Sequence, residues 1–292
     1  SENAAYWLQS ALRTYESLPQ ADQDVAVRDG LLIDMLGAQS RAGRVQLVLD
    51  TVEARLGEAI RSGSTATAGR LASALVRAGG GWPWIAPTAE ISSLHRVLAD
   101  AEACVVDDPA SAARVLGALA IGHCYHPDPA VPADYLARAE ALAESLDDPD
   151  VSADVMLARH ITYAGAADRA QETMDLARAI QQLPHVGSPV DLVITDSVIT
   201  MATMTLGDIE ATEHHLRRGI AGSERMRLPI LRAQLRWMQA ALAVWRGEFD
   251  LARSHLGTAI AVHRQTELYV AGSGALATMA MATQRGLFDE IG

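Results

Sequence analysis

Residues 247–259, Gly-Glu-Phe-Asp-Leu-Ala-Arg-Ser-His-Leu-Gly-Thr-Ala, contain the clearest repeat signature of this chain. It places one alanine five residues after a glycine, a large apolar residue nine after it and a second alanine twelve after it. Segment 165–177 has the same spacing, and segment 207–219 has it with conservative replacements. Small residues at these intervals let two helices cross closely while the large residue fills the space beside them. The repetition predicts consecutive helix pairs of one design.

Glycines at nearly even intervals separate the predicted helices. Seven of them follow apolar stretches, with gaps of 36 to 43 residues: Gly43, Gly79, Gly122, Gly165, Gly207, Gly247 and Gly286. A glycine just past a helix end adopts the left-handed backbone that ends the helix at low cost. The offsets above are those of tetratricopeptide-like repeats, and the period exceeds their usual length of about 34 residues because the helices are a turn longer. We expect an all-α fold, a right-handed solenoid of about six to seven helical hairpins, with residues 1–292 forming a single helical-repeat domain.

Caps and apolar periodicity set the expected helix boundaries. Asp107-Asp108-Pro109 and Asp147-Asp148-Pro149 are helix starts, because aspartate caps backbone N–H groups and proline fits the first turn. The β-branched run 190–200 is interpreted as a buried helix rather than a strand. The first helices of the pairs are expected at 22–42, 65–78, 109–121, 150–164, 190–206, 228–246 and 267–285. A half-pair at 4–18 precedes them, and their partners are expected at 44–62, 86–106, 133–146, 167–183, 208–224 and 248–264.

One segment interrupts the regular pattern. Gly79-Gly80-Gly81 leads into Trp82-Pro83-Trp84. We expect a kink in the stack near 79–87, where the two indoles pack against neighbouring repeats. An alternative is that Trp82 and Trp84 form an aromatic wall of a ligand site.

Composition and charge exclude several classes of function. All 24 basic residues are arginines, so no Schiff-base or phosphate-loop lysine exists. The formal net charge of −12 would repel a nucleic-acid backbone, so direct nucleic-acid binding by this chain is not expected. No apolar run is long enough to span a membrane, and two cysteines do not make a disulfide framework. We expect a cytoplasmic protein with reduced thiols.

Three clusters contain residue types suited to metal or acid–base chemistry. His123-Cys124-Tyr125-His126 has metal-like spacing but lacks a second ligand pair, so it is interpreted as a polar loop. His214, His215 and His255 are interpreted as surface residues, and the aspartate pairs as helix caps. We therefore expect no metal, no cofactor and no catalytic residue, and the chain is not expected to be an enzyme.

The segment 236–252, Arg-Trp-Met-Gln-Ala-Ala-Leu-Ala-Val-Trp-Arg-Gly-Glu-Phe-Asp-Leu-Ala, resembles a specific kind of helical repeat. It is similar to the C-terminal repeat region of large bacterial transcriptional regulators of the SARP type and of ATP-dependent LuxR-type regulators. Supporting stretches are 76–84, 135–149 and 284–288. The resemblance implies that the chain is a fragment of a longer regulator. DNA binding and ATP hydrolysis would then belong to other modules of that protein.

Tetratricopeptide-like geometry places the first helix of each pair on the concave side of the stack. Counting back from each glycine gives a candidate ligand or partner groove, which consists of Arg159, Thr162, Ser197, Met201, Met204, Gln234 and Trp237. Such a mixed surface suits a peptide, a helix or a small amphipathic molecule. The alternative is that some of these residues belong to the core, above all Met201 and Met204.

These observations predict a non-catalytic protein–protein interaction and signal-receiving domain of a transcriptional regulator. Its partner would be another protein, another domain of the parent regulator or a small-molecule effector, and it would act through the groove. A homodimer formed through the terminal repeat is a further assembly that the pattern allows. The competing interpretation is a constitutive scaffold with no small ligand.

Overall fold

The computed structural model describes residues 2–78, 93–182, 189–266 and 271–286. Within these ranges the chain forms fourteen α helices and two short 3-10 helices, Gln20–Asp22 and Ala167–Arg169, and no strand. The helices are α1 (Glu2–Glu16), α2 (Val25–Arg41), α3 (Val45–Ser62), α4 (Thr65–Ala78), α5 (Ser93–Cys104), α6 (Pro109–Gly122), α7 (Ala130–Leu146), α8 (Pro149–Thr162), α9 (Ala170–Gln182), α10 (Pro189–Leu206), α11 (Ile209–Met226), α12 (Pro229–Trp245), α13 (Phe249–His263) and α14 (Ala271–Gln284). The predicted all-α architecture is confirmed, and run 190–200 is helical. Trp82, Trp84, Gly79 and the predicted kink lie outside the described residues.

Aspartate caps begin several helices as the sequence predicted. The Asp148 carboxylate accepts hydrogen bonds from the backbone N–H groups of Asp150 at 2.9 Å and Val151 at 3.2 Å. Asp108 caps α6 through the N–H of Ser111 at 3.1 Å. These bonds satisfy donors that have no partner inside the helix. The carboxylates are therefore structural caps.

Most of the glycines that were expected to end helices do so with a left-handed backbone. Positive φ is found at Gly43, Gly165, Gly207, Gly247 and Gly286. Gly122 is the exception, because it forms the last residue of α6 and His123 follows as the cap. Two turns use other residues in this conformation, Asp147 with φ 50° and Arg227 with φ 57°.

The helices pack in sequential pairs, and the even-numbered helices from α2 to α12 also pack against one another. We refer to these even-numbered helices as the inner series. Pairs such as α6–α7, α10–α11 and α12–α13 contact each other along their lengths. In addition α2, α4, α6, α8, α10 and α12 contact one another in that order. One continuous apolar core joins these elements, with Leu36, Leu71, Leu119, Leu157 and Ile194 buried in it.

The inner series also returns on itself. The turn after α2 lies against the start of α12 and the end of α13. A Cβ on Gly43 would lie 3.2 Å from the Gln265 carbonyl oxygen and 3.3 Å from Pro229 Cγ. Its φ of 79° adds a second reason for glycine at this position. The first and last parts of the inner series therefore meet.

Among the described helices, none is long and apolar enough to cross a membrane.

Candidate functional site

An apolar cleft of about 500 Å³ lies between the end of α10 and helices α12, α13 and α14. Its walls include Met204, Trp237, Met238, Trp245 and Met281. We refer to this surface as the C-terminal cleft. It contains two residues that the sequence predicted for a groove, Met204 and Trp237.

The repeat signature positions the floor of this cleft. Ala240 and Ala243 of α12 pack with Ala252 and Leu256 of α13 in one buried cluster. Because three of these residues are alanines, the two helices approach closely and the larger side chains project to either side. Trp237 is among those larger side chains. Its ring meets the His263 ring edge-on, with centroids 5.6 Å apart at 87°.

The cleft remains open to solvent at its rim. Trp245, the last residue of α12, is 57% exposed although it is one of the largest apolar side chains in the chain. An exposed indole beside three methionines is an adaptable apolar surface, because methionine adjusts its shape readily. This arrangement can bind an apolar or amphipathic group. It contains no nucleophile with an adjacent base.

Two further predicted groove residues lie next to the cleft but face inward. The Gln234 side-chain amide donates to the Met201 sulfur at 3.6 Å, and Gln234 is 8% exposed. Met201 also reaches the turn after α8, since its Cε would be 2.7 Å from a Cβ on Gly165. Met201 and Gln234 therefore join α10 to α12 and to this turn.

Thr162 and Ser197 do not line an accessible groove. Thr162 is 7% exposed and its hydroxyl donates to the Ala158 carbonyl at 2.8 Å. Ser197 is 1% exposed, and its hydroxyl has no hydrogen-bond partner among the described residues. Both are buried because the inner helices pack against one another along the faces that the repeat geometry assigned to an open concave side.

Arg159 lies apart from the cleft and is already paired. Its guanidinium donates to Glu140 of α7 at 2.5 Å and also to Glu172 of α9. Burial alone would lower the pKa of Arg159, but the two glutamates outweigh it and raise that pKa further. The residue therefore ties three helices together, and its charge is neutralised from within the fold.

An ion-pair network on the inner helices was missed by sequence reasoning. Arg77 of α4 contacts Asp154 of α8 at 2.8 Å and Asp191 of α10 at 3.0 Å. Arg114 of α6 contacts the other oxygen of Asp154 at 2.7 Å. Burial raises the pKa of Asp191, and the Arg77 charge opposes this rise. No local motif signals these pairs, since the partners lie 114 positions apart in one case.

His160 is a buried imidazole on α8, the helix that also carries Asp154. His160 is fully buried, and neither ring nitrogen has a hydrogen-bond partner within the described structure. Burial lowers the pKa of His160 to about 4, and the Thr195 backbone opposes the shift only partly, because it does not form a hydrogen bond of good geometry with the ring. The ring is therefore neutral at pH 7.

The histidine-containing loop after α6 gathers a third imidazole that the sequence did not indicate. His95 of α5 lies 5.1 Å from His123, and His126 lies 5.9 Å from it, between ring centroids. Tyr135 stacks on His123 at 5.5 Å. Burial and the two neighbouring imidazoles lower the pKa of His123. Across the described ranges, no group of three or more metal-ligating side chains is arranged to hold an ion.

The second predicted histidine cluster is divided. His215 is half-buried and bonds through Nδ1 to the buried Asp196 at 2.9 Å, whereas His214 is exposed. His215 is thus a structural partner of Asp196 rather than a simple surface residue.

No protein-family model matches this chain, and no curated protein matches it either. Support for a function therefore comes from the C-terminal cleft, the remaining side-chain chemistry and the resemblance of segment 236–252.

Proposed function

We propose that this chain is a non-catalytic recognition domain that receives an apolar segment of a protein partner, or a small amphipathic effector, in the C-terminal cleft. The observation that carries the proposal is the Met–Trp lining formed by the half-buried Met204, Trp237 and Met238 and the exposed Trp245. Flexible methionines beside indoles suit partners whose apolar faces differ in detail.

The wider role is a signal-receiving part of a transcriptional regulator. Its support is the resemblance of segment 236–252 to the repeat tails of SARP-type and LuxR-type regulators. In this proposal the helix pairs form a tetratricopeptide-like right-handed solenoid, and binding favours one arrangement of its helices. Binding would thus shift the populations of the helix arrangements, and the modules attached to this chain would respond to that shift.

Native mass spectrometry of the purified chain tests the binding function. We expect a non-covalent adduct, either a molecule of a few hundred daltons or a short polypeptide. The adduct should be lost in Met204→Gln and Met238→Gln, which keep the side-chain volume but make the cleft polar. Met279→Gln is the matched control, because Met279 is 47% exposed and lies on α14 outside the lining.

The proposal would be contradicted if the chain carried no adduct and also failed to bind the apolar dye anilinonaphthalene sulfonate. Dye binding that is equal in Met204→Gln and in Met279→Gln would contradict it as well. A partner captured equally by both variants would instead favour the constitutive scaffold.

A further inference from the structure

A second cleft, of about 610 Å³, lies where the inner helices return on themselves. Its walls come from the end of α2, the end of α11 and the start of α12, and include Arg41, Glu224, Arg227, Leu228 and Arg232. We refer to it as the closure cleft. It is separate from the C-terminal cleft, and the two have no lining residue in common.

The charged side chains that line the closure cleft are mainly positive, although the chain as a whole is acidic. The formal net charge is −12, yet three arginines and one glutamate line this cleft. Within the described residues, neither Arg41 nor Arg227 lies within ion-pair distance of a carboxylate. Two guanidinium groups at one concave surface therefore have no counter-ion among the described side chains.

The single glutamate is shared between Arg232 and a second arginine, Arg236, which lies closer to it. Glu224 Oε1 accepts a hydrogen bond from Arg236 Nη2 at 2.7 Å, whereas Arg232 Nε approaches the same oxygen only to 3.7 Å. The Arg232 side chain is 38% exposed, but its Nε atom is buried and donates no hydrogen bond to a described atom. A buried donor left unpaired costs free energy until an acceptor reaches it. An anion in the cleft would supply this acceptor.

The backbone at this corner forms the junction between α11 and α12, and Arg227 is the cap that ends α11. Arg227 holds a left-handed conformation, φ 57°, which is costly for a side chain other than glycine. The α12 helix begins beside it, and Leu228 at the cap position gives no side-chain hydrogen bond. The C-terminus of α11, which Arg227 caps, and the N-terminus of α12 both lie at this corner, so the ends of the two helix dipoles have opposite sign here.

We propose that the closure cleft binds a multiply charged phosphate anion, either inorganic or carried by a small organic molecule. Guanidinium groups match phosphate oxygens with paired hydrogen bonds, which explains three arginines around one cavity. The anion would bridge the end of α2 to the start of α12. This site does not depend on the function proposed for the C-terminal cleft.

Isothermal titration calorimetry with pyrophosphate on the full chain tests the proposal. We expect saturable binding that weakens as sodium chloride is added, because released counter-ions and screening oppose it. Adenosine diphosphate and adenosine distinguish the sources of the phosphate. Tighter binding of the diphosphate than of pyrophosphate indicates an organic phosphate, equal binding indicates an inorganic one, and adenosine alone should give no signal.

Arg227→Gly separates binding from folding. Glycine relieves the left-handed backbone, so the thermal midpoint should stay the same or rise, while the affinity for pyrophosphate should fall about tenfold or more. Arg41→Gln should weaken binding similarly. Arg217→Gln is the control, since Arg217 is 72% exposed on α11 and does not line the cleft.

Absence of a pyrophosphate signal at low salt would overturn the proposal. Equal affinity in Arg227→Gly and in the wild-type chain would also overturn it, because the anion would then bind elsewhere. Met204→Gln should leave the pyrophosphate affinity unchanged, so that failure at one cleft is distinguishable from failure at the other.

Discussion

Arg77 on α4 donates a hydrogen bond to Asp191 on α10 at 3.0 Å, although 114 positions separate them in the chain. The same guanidinium contacts Asp154 on α8 at 2.8 Å. One side chain therefore joins three inner helices. Asp191 is 2% exposed and Asp154 is 9% exposed, so both carboxylates are buried, whereas the Arg77 side chain is 30% exposed.

Replacing Arg77 should destabilise the chain strongly. Arg77→Met leaves the buried Asp191 carboxylate without its cation and leaves Asp154 with Arg114 alone, and we expect a loss of about 3 kcal/mol in the free energy of unfolding. Urea denaturation followed by circular dichroism measures it. Arg178→Met is the control, because the Arg178–Asp175 pair is exposed and should contribute less than about 1 kcal/mol. Equal losses in the two variants would show that the inner network does not hold the helices together.

His160 should make stability depend on pH. Its folded-state pKa of about 4 lies below the value of about 6.5 expected in the unfolded chain, so the unfolded state takes up a proton first as pH falls. The contribution of the neutral ring is complete above a pH of about 6.5, and it is lost as pH falls from there to about 4.

The variant His160→Leu isolates this effect. Between pH 7.5 and pH 4.5 the wild-type chain should lose roughly 2 to 3 kcal/mol more than the variant does. Urea unfolding at both pH values measures the difference. Other groups titrate in both proteins and cancel, so parallel pH profiles would contradict the burial of a neutral imidazole at this position.

Gly69 should tolerate no side chain. A Cβ there would lie 2.8 Å from the Ser111 Cα, where α4 crosses α6. We expect Gly69→Ala to cost about 2 to 4 kcal/mol, because a backbone must move in a packed core.

Gly30 provides the matched control for Gly69. It also lies inside a helix, α2, but a Cβ added there would meet no atom within 4 Å. Gly30→Ala should therefore stabilise by about 0.5 to 1 kcal/mol through helix propensity. Thermal unfolding of both variants measures the contrast, and effects of the same sign would refute the close crossing.

Arg159 should not contribute to binding in the C-terminal cleft. Its guanidinium is occupied by Glu140 and Glu172, and it does not line that cleft. We expect Arg159→Gln to keep the adduct and the dye affinity within about twofold, while Trp237→Ala weakens both by about tenfold. A comparable loss of the adduct and of dye affinity in Arg159→Gln would show that Arg159 belongs to the binding surface.

Local signals in the sequence were sufficient to predict the helices. The predicted boundaries of α3, α4 and α10 differ from the observed ones by at most one residue. Glycines that end helices, such as Gly165 and Gly247, and the Asp148 cap act within a few residues of their own position, so a linear pattern reveals them.

The sites were only partly predictable. Met204 and Trp237 were predicted to share a surface, and they line one cleft. Thr162 and Ser197, assigned by the same repeat geometry, are buried. The repeat pattern identifies which face a residue occupies but not whether a distant helix covers that face.

The helical character of the chain, the ends of most helices and the small residues at helix crossings follow from the amino-acid sequence. The contact of the turn at Gly43 with Pro229, the reach of Arg77 to Asp191 and the three arginines around one cleft emerge only in the folded molecule. The physical reason is distance along the chain. Caps, turns and helix propensity act over a few residues, whereas these contacts depend on small rotations at every helix crossing, which accumulate until the two parts of the inner series meet.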